Sequence, residues 1–102
     1  MRYFSWDRHK AEANIRKHGI DFASAAAAFD DPLAVRKLDR MASGGEIRWH
    51  TYGMVRGNVL LIIVHTAIDE NGDEYIRIIS ARRTTKQETG YYFEKNRERG
   101  FL

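Results

Sequence analysis

The stretch that most limits what this chain can fold into is VLLIIVHT, residues 59–66. Its first six residues are all apolar, so neither face of a strand made from them could be left in water. Such a run suits a central strand covered on both sides. It is far too short to cross a bilayer. Turn signals flank it. Arg56-Gly57-Asn58 precedes it as a tight turn, and Asn71-Gly72 follows, a hairpin signal because both residues tolerate positive φ. On either side lie EIRWHTYGM (46–54) and EYIRIISA (74–81), so three strands form an antiparallel meander. In the first of these, alternation puts Ile47, Trp49 and Thr51 on one side and Arg48, His50 and Tyr52 on the other.

The ends of the chain read differently. RYFSW (2–6) is a short strand, and LAVRKL (33–38) is a further strand before the meander. Asp7 can cap a helix over residues 8–18, with Gly19 ending it in a left-handed conformation. Asp21 can cap a second helix over residues 22–29, with an apolar stripe of Phe22, Ala25, Ala26 and Phe29; Pro32 stops it. Four consecutive alanines imply close packing on a neighbour. Thr85 to Glu88 is a capping-box pattern, so a last helix begins near Lys86. Gly90 inside it costs about 1 kcal/mol relative to alanine. The order is β-α-α-β-β-β-β-α. The expected class is α+β: a small antiparallel meander with two N-terminal helices and a C-terminal helix, in one domain over residues 1–102.

The 102 residues contain no cysteine, which leaves out disulfides, thiol catalysis and cysteine-based zinc sites. The start, MRYFSWDRHK, has no apolar region of a signal peptide, and a cytoplasmic location is expected. Net charge is +3, but residues 76–102 hold seven basic and three acidic side chains, while residues 1–75 hold ten and eleven. The excess is C-terminal. A localised basic region attracts polyanions, although a charged, solvated helix face gives the same count.

The sequence has no P-loop, dinucleotide fingerprint or HExxH, and neither histidines nor carboxylates are spaced for a metal. What remains is acid–base chemistry without metal or cofactor, or binding alone. Arg82 and Arg83, where the last strand meets the last helix, come first: guanidinium groups beside a helix N-terminus suit an anion. They can equally be surface charges, or one can pair with Glu88. Arg48, His50 and Tyr52 share a strand face and could supply an anion clamp and a proton-transfer group, or could simply pack. Arg77 joins this set only if its register allows. Lys10, Asn14 and Lys17 share a helix face that can follow phosphates or be solvated. His65, at the end of an apolar strand, reads as a satisfied, partly buried histidine.

Residues 4–34 and 77–92, including Trp6-Asp7, Lys10, Asn14, Lys17-His18-Gly19, Phe22, Ala25, Phe29, Asp31-Pro32, Arg77, Ser80-Ala81-Arg82-Arg83, Glu88 and Tyr92, with Arg48 and Gly53 between them, resemble the BrnT toxins of bacterial type II toxin–antitoxin pairs. The likeness runs nearly the whole chain in order. The stretch 36–46, the tail after Tyr92 and the longer hairpin at residues 71–75 depart from it. The resemblance implies a RelE-like fold and a ribonuclease that blocks translation. It implies neutralisation by a BrnA antitoxin whose DNA-binding domain reaches the operator, in a heterotetramer. On this basis Arg82 and Arg83 would grip the scissile phosphate, Arg48 and Arg77 would add charge, and His50 or Tyr92 would move the proton. Lys10, Asn14 and Lys17 would contact the RNA.

Overall fold

A computed structural model describes residues 1–41 and 44–102. Ala42 and Ser43, within the stretch where the family likeness lapses, lie outside the described residues. The apolar run becomes β4 (Val59–Glu70), the middle strand of a five-stranded sheet. Antiparallel to it lie β3 (Ile47–Val55) on one side and β5 (Asp73–Arg83) on the other. The turns between them contain the left-handed residues Arg56-Gly57 and Asn71-Gly72. Beyond β3 comes β2 (Val35–Met41), also antiparallel.

The outer strand on the far side corrects the expectation of a purely antiparallel sheet. Strand β1 (Arg2–Trp6) runs parallel to β5, pairing Tyr3 with Tyr75 and Trp6 with Ile78, so the sheet is mixed, in the order β1-β5-β4-β3-β2. No local pattern announces this contact, because the partners lie at opposite ends of the sequence.

Alternation along β4 divides the core in two. Leu61 and Ile63 meet Phe22, Ala25, Ala28, Phe29, Ile76, Ile78 and Ala81 on one face. Leu60 and Ile62 meet Val35, Tyr52 and Tyr92 on the other. Helix α1 (Arg8–His18), helix α2 (Phe22–Ala25) and a 3-10 turn (Ala26–Asp30) belong to the first face; helix α3 (Lys86–Glu98) covers part of the second. The caps are in place: the side chains of Asp7 and Asp21 accept from Lys10 and Ser24 N–H groups, and Thr85 and Glu88 form a complete capping box.

The alanine run was expected to be α-helical to residue 29. It tightens to 3-10 winding after Ala25 instead, which puts Phe22, Ala25 and Ala28 at a spacing of three along the buried side. The alanines allow the backbone to reach the sheet. A Cβ on Gly53 would stand 2.2 Å from the carbonyl oxygen of Ala28, so only glycine fits that position of β3. Asp31 then fastens the turn: its carboxylate accepts from the Leu33 and Met54 N–H groups and from the Tyr92 hydroxyl.

Two buried polar side chains complete the first face. His65 is fully buried; its Nδ1 donates to the Thr66 carbonyl (2.9 Å), which leaves Nε2 to accept from the Thr51 hydroxyl (2.7 Å). Burial lowers its pKa to about 4, so it is neutral at pH 7. Asn14 is also buried: its amide donates to the Ala81 carbonyl at 2.8 Å and accepts from the Ala81 N–H at 3.1 Å. One side chain from α1 thus pairs the edge of β5 beyond the point where β1 ends.

Candidate active site

On the second face, α3 covers only the end that holds Tyr52, Leu60 and Ile62. The other end is open. Cross-strand pairing sets Lys37, His50, Val64 and Ser80 in one row over β2, β3, β4 and β5. The flanking positions of β5 on this face are Arg77 and Arg82, which pair with Thr66 and Ile62. From Thr66 to Ile62 is an even step along β4, so both arginines face the same way. They can do so because β5 carries a bulge between Ile78 and Ser80 that breaks the strict alternation. His50 and Ser80 lie two strands apart, roughly 10 Å.

The arginines here are held by carboxylates. Glu46, in the turn before β3, contacts both Arg77 and Arg48, the latter at 3.7 Å. At that length no hydrogen bond forms, so the buried Arg48 Nε has only an ion-pair contact with Glu46. Arg82 makes two 2.8 Å bonds to Glu88 in the first turn of α3. The Arg82 guanidinium holds the Glu88 carboxyl at about 2, helped by the Thr85 N–H and opposed by burial; Glu88 in turn raises the Arg82 pKa. The one pairing weighed from the sequence, an arginine with Glu88, is therefore present.

His50 Nε2 lies 3.3 Å from Asp39 Oδ2. Asp39 sits at an irregularity of β2 between Leu38 and Arg40, which explains why spacing alone did not place it beside His50. Glu46 was missed for a related reason: it carries no local signal, and only the fold sets it between arginines of two different strands. A histidine with a carboxylate behind it and a triad of fixed guanidinium groups can transfer a proton and stabilise a phosphorane-like charge.

Other sequence candidates are placed differently. Strand β5 continues through Arg83, so Arg82 and Arg83 point to opposite faces. Arg83 pairs with Leu61 of the first face and lines a cavity of about 450 Å³ with Ile20, Asp21, Ser24 and Arg56. The two arginines do not form one clamp. Tyr92 is 1% exposed, donates to Asp31 at 2.6 Å, and has its pKa raised by burial and by that bond. It is a core residue, out of reach of a substrate. Tyr52 is likewise buried, and burial raises its pKa. Lys10, Asn14 and Lys17 line one shallow groove of about 390 Å³ with His18, Ser80 and Arg82; the lysines are exposed, whereas Asn14 is buried with its amide occupied at the β5 edge. The groove joins the α1 candidates to the open face.

Among the described residues, no three His, Asp or Glu side chains converge as metal ligands, and no helix is long and apolar enough to cross a membrane.

The family model for "Ribonuclease toxin, BrnT, of type II toxin-antitoxin system" matches residues 6–88. That span includes Lys10, Lys17, Arg48, His50, Arg77, Arg82 and Glu88. In three dimensions the chain is similar to the ribonuclease toxin BrnT of Brucella abortus, known from a 1.1 Å crystal structure. Identity is 26%, the match covers 84% of this chain and 99% of that one, and the TM-score is 0.59. No curated protein gives a significant match.

Proposed function

The chain belongs to the BrnT family of ribonuclease toxins of type II toxin–antitoxin systems, and on that premise we propose that it cuts RNA without a metal ion on the open half of its second sheet face. One observation carries the reading. Arg48 and His50 of β3 stand on the same uncovered face as Arg77 and Arg82 of β5, and the Lys10–Lys17 groove opens toward Arg82.

In this mechanism His50, oriented by Asp39, takes the proton from a ribose 2′-hydroxyl. The oxygen attacks the adjacent phosphorus, the P–O5′ bond breaks, and the 5′-oxygen takes a proton from water, while the proton held by His50 returns to solvent. The products are a 2′,3′-cyclic phosphate and a 5′-hydroxyl. Arg48, Arg77 and Arg82 neutralise the extra charge on phosphorus as it develops. Glu46 and Glu88 hold these arginines in position. Lys10 and Lys17 receive the RNA backbone at the groove. In the cell, cleavage would inhibit translation. A BrnA-type antitoxin would neutralise the toxin in a heterotetramer and carry the complex to operator DNA through its own DNA-binding domain.

The test is cleavage of RNA in the presence of chelator by wild-type protein and by Arg48→Ala and Arg82→Ala. Each substitution is expected to cost ~10²–10³ in rate, and the wild-type products to end in a cyclic phosphate. Equal cleavage by wild type and folded variants would remove the site assignment. RNA that stays intact with excess protein, bound in a salt-sensitive way, would make the chain a binding module or co-repressor subunit.

A further inference from the structure

The open face does not stop at Arg77. Two positions further toward the hairpin, Tyr3 of β1, Tyr75 of β5 and Ile68 of β4 stand in one cross-strand row. The tyrosine rings are stacked, with centroids 5.2 Å apart and planes 17° apart. Tyr3 and Tyr75 are each 45% exposed and Ile68 is 61% exposed. A cross-strand aromatic pair stabilises a sheet by a few tenths of a kcal/mol to about 1 kcal/mol, which accounts for Tyr3 meeting Tyr75. Ile68 opposite Tyr75 adds an aromatic–β-branched pair of the same kind, but pairing within the sheet leaves the outer side of the whole row in water.

The surroundings point to one kind of occupant. The next row along the strands is Ser5, Arg77 and Thr66, so the Arg77 and Tyr75 backbone positions on this face are about 7 Å apart. That is close to the phosphate-to-phosphate step of an extended single strand. Arg77 is joined through Glu46 to Arg48, and the basic positions therefore continue from the aromatic row toward Arg82. On the other side the hairpin carries the exposed carboxylate of Glu70 on this face, which repels phosphate and bounds the surface. At the hairpin end the Met1 ammonium is neutralised by Asp73, so the net positive charge lies toward Arg77, which fits an unpaired base on the aromatic row with its backbone running that way.

We infer that Tyr75, with Tyr3 and Ile68 beside it, is a base-stacking subsite for single-stranded RNA, which binds a nucleotide near the one being cut. The inference rests on the ribonuclease reading for what lies beyond Arg77, but it has its own readout.

The experiment measures binding of a short, fluorescein-labelled single-stranded RNA by anisotropy, together with KM and kcat for its cleavage. The proteins are wild type, Tyr75→Leu, the double variant Tyr3→Leu/Tyr75→Leu, and Tyr75→Trp. Stacking on one aromatic side chain predicts binding about five- to hundredfold weaker in Tyr75→Leu, with KM raised and kcat kept. Tyr75→Trp restores binding, since it keeps an aromatic face. A matched oligomer of abasic nucleotides binds wild type and Tyr75→Leu equally. If Tyr75→Leu binds the RNA as wild type does, the subsite is wrong. It is also wrong if the variant loses only self-association in sedimentation, which would make the row a contact between copies. If the wild type cuts no RNA but binding still depends on Tyr75 and on bases, the subsite stands and the ribonuclease reading falls.

Discussion

Arg77 and Arg82 project from the same face of the last strand although their spacing is odd. In a regular strand they would point in opposite directions. The bulge between Ile78 and Ser80 resets the phase and brings both guanidinium groups to the uncovered surface that holds His50. Arg83, the next residue, is sent to the other face.

That phase relation separates two neighbouring arginines in function. Arg82→Ala lowers RNA cleavage by ~10²–10³, whereas Arg83→Ala leaves kcat close to wild type. Parallel single-turnover assays on both variants check this, and an equal loss in the two would place Arg83 at the reacting phosphate.

The Arg82–Glu88 pair also marks the acid limb of stability. Glu88 is held at about 2 in the folded protein against 4.5 ordinarily. Its folded-state pKa is depressed, so its contribution is full above about 4.5 and is lost as the pH falls through about 2. Urea midpoints of wild type and Glu88→Gln should differ at pH 7 and draw together between pH 4.5 and 2. A gap that is constant over this range would contradict the pairing.

His65 acts in a higher window. Its folded pKa is about 4 against 6.5 in the unfolded chain, so the unfolded state takes up the proton first as acid is added. Stability is unaffected above pH 6.5 and declines from there to pH 4, by about 3 kcal/mol in total. Chemical denaturation of wild type and His65→Gln should show the steeper slope in the wild type between pH 6.5 and 4.5, above the range where Glu88 contributes.

Asn14 is predicted to matter for folding and not for RNA contact. Asn14→Ala strands the N–H and C=O of Ala81 at the edge of β5, each at a cost of about 1–3 kcal/mol where water cannot replace the amide. The expected result is a lower urea midpoint, with KM for RNA unchanged at a temperature where the variant is folded. A normal midpoint with a raised KM would return Asn14 to the binding set.

The residues fixed by local rules were readable from the chain. Asp7, Gly19, Asp21 and the Thr85–Glu88 box act over a few positions, and the continuous apolar run of residues 59–64, flanked by turn signals, suits a central strand covered on both sides. The family likeness followed from residues whose order and spacing are properties of the sequence itself. Only the tertiary structure decided which of the charged residues meet. Period-2 alternation is lost at a bulge, and nothing local signals the bulge at Ile79 or the irregularity that sets Asp39 near His50. The parallel contact of Tyr3 with Tyr75, the Glu46 bridge between Arg48 and Arg77, and the burial of Asn14 and Tyr92 all join residues far apart in the chain. Such contacts depend on sheet order and on which face each helix covers, and those follow from packing the two cores together, not from the pattern of any one segment.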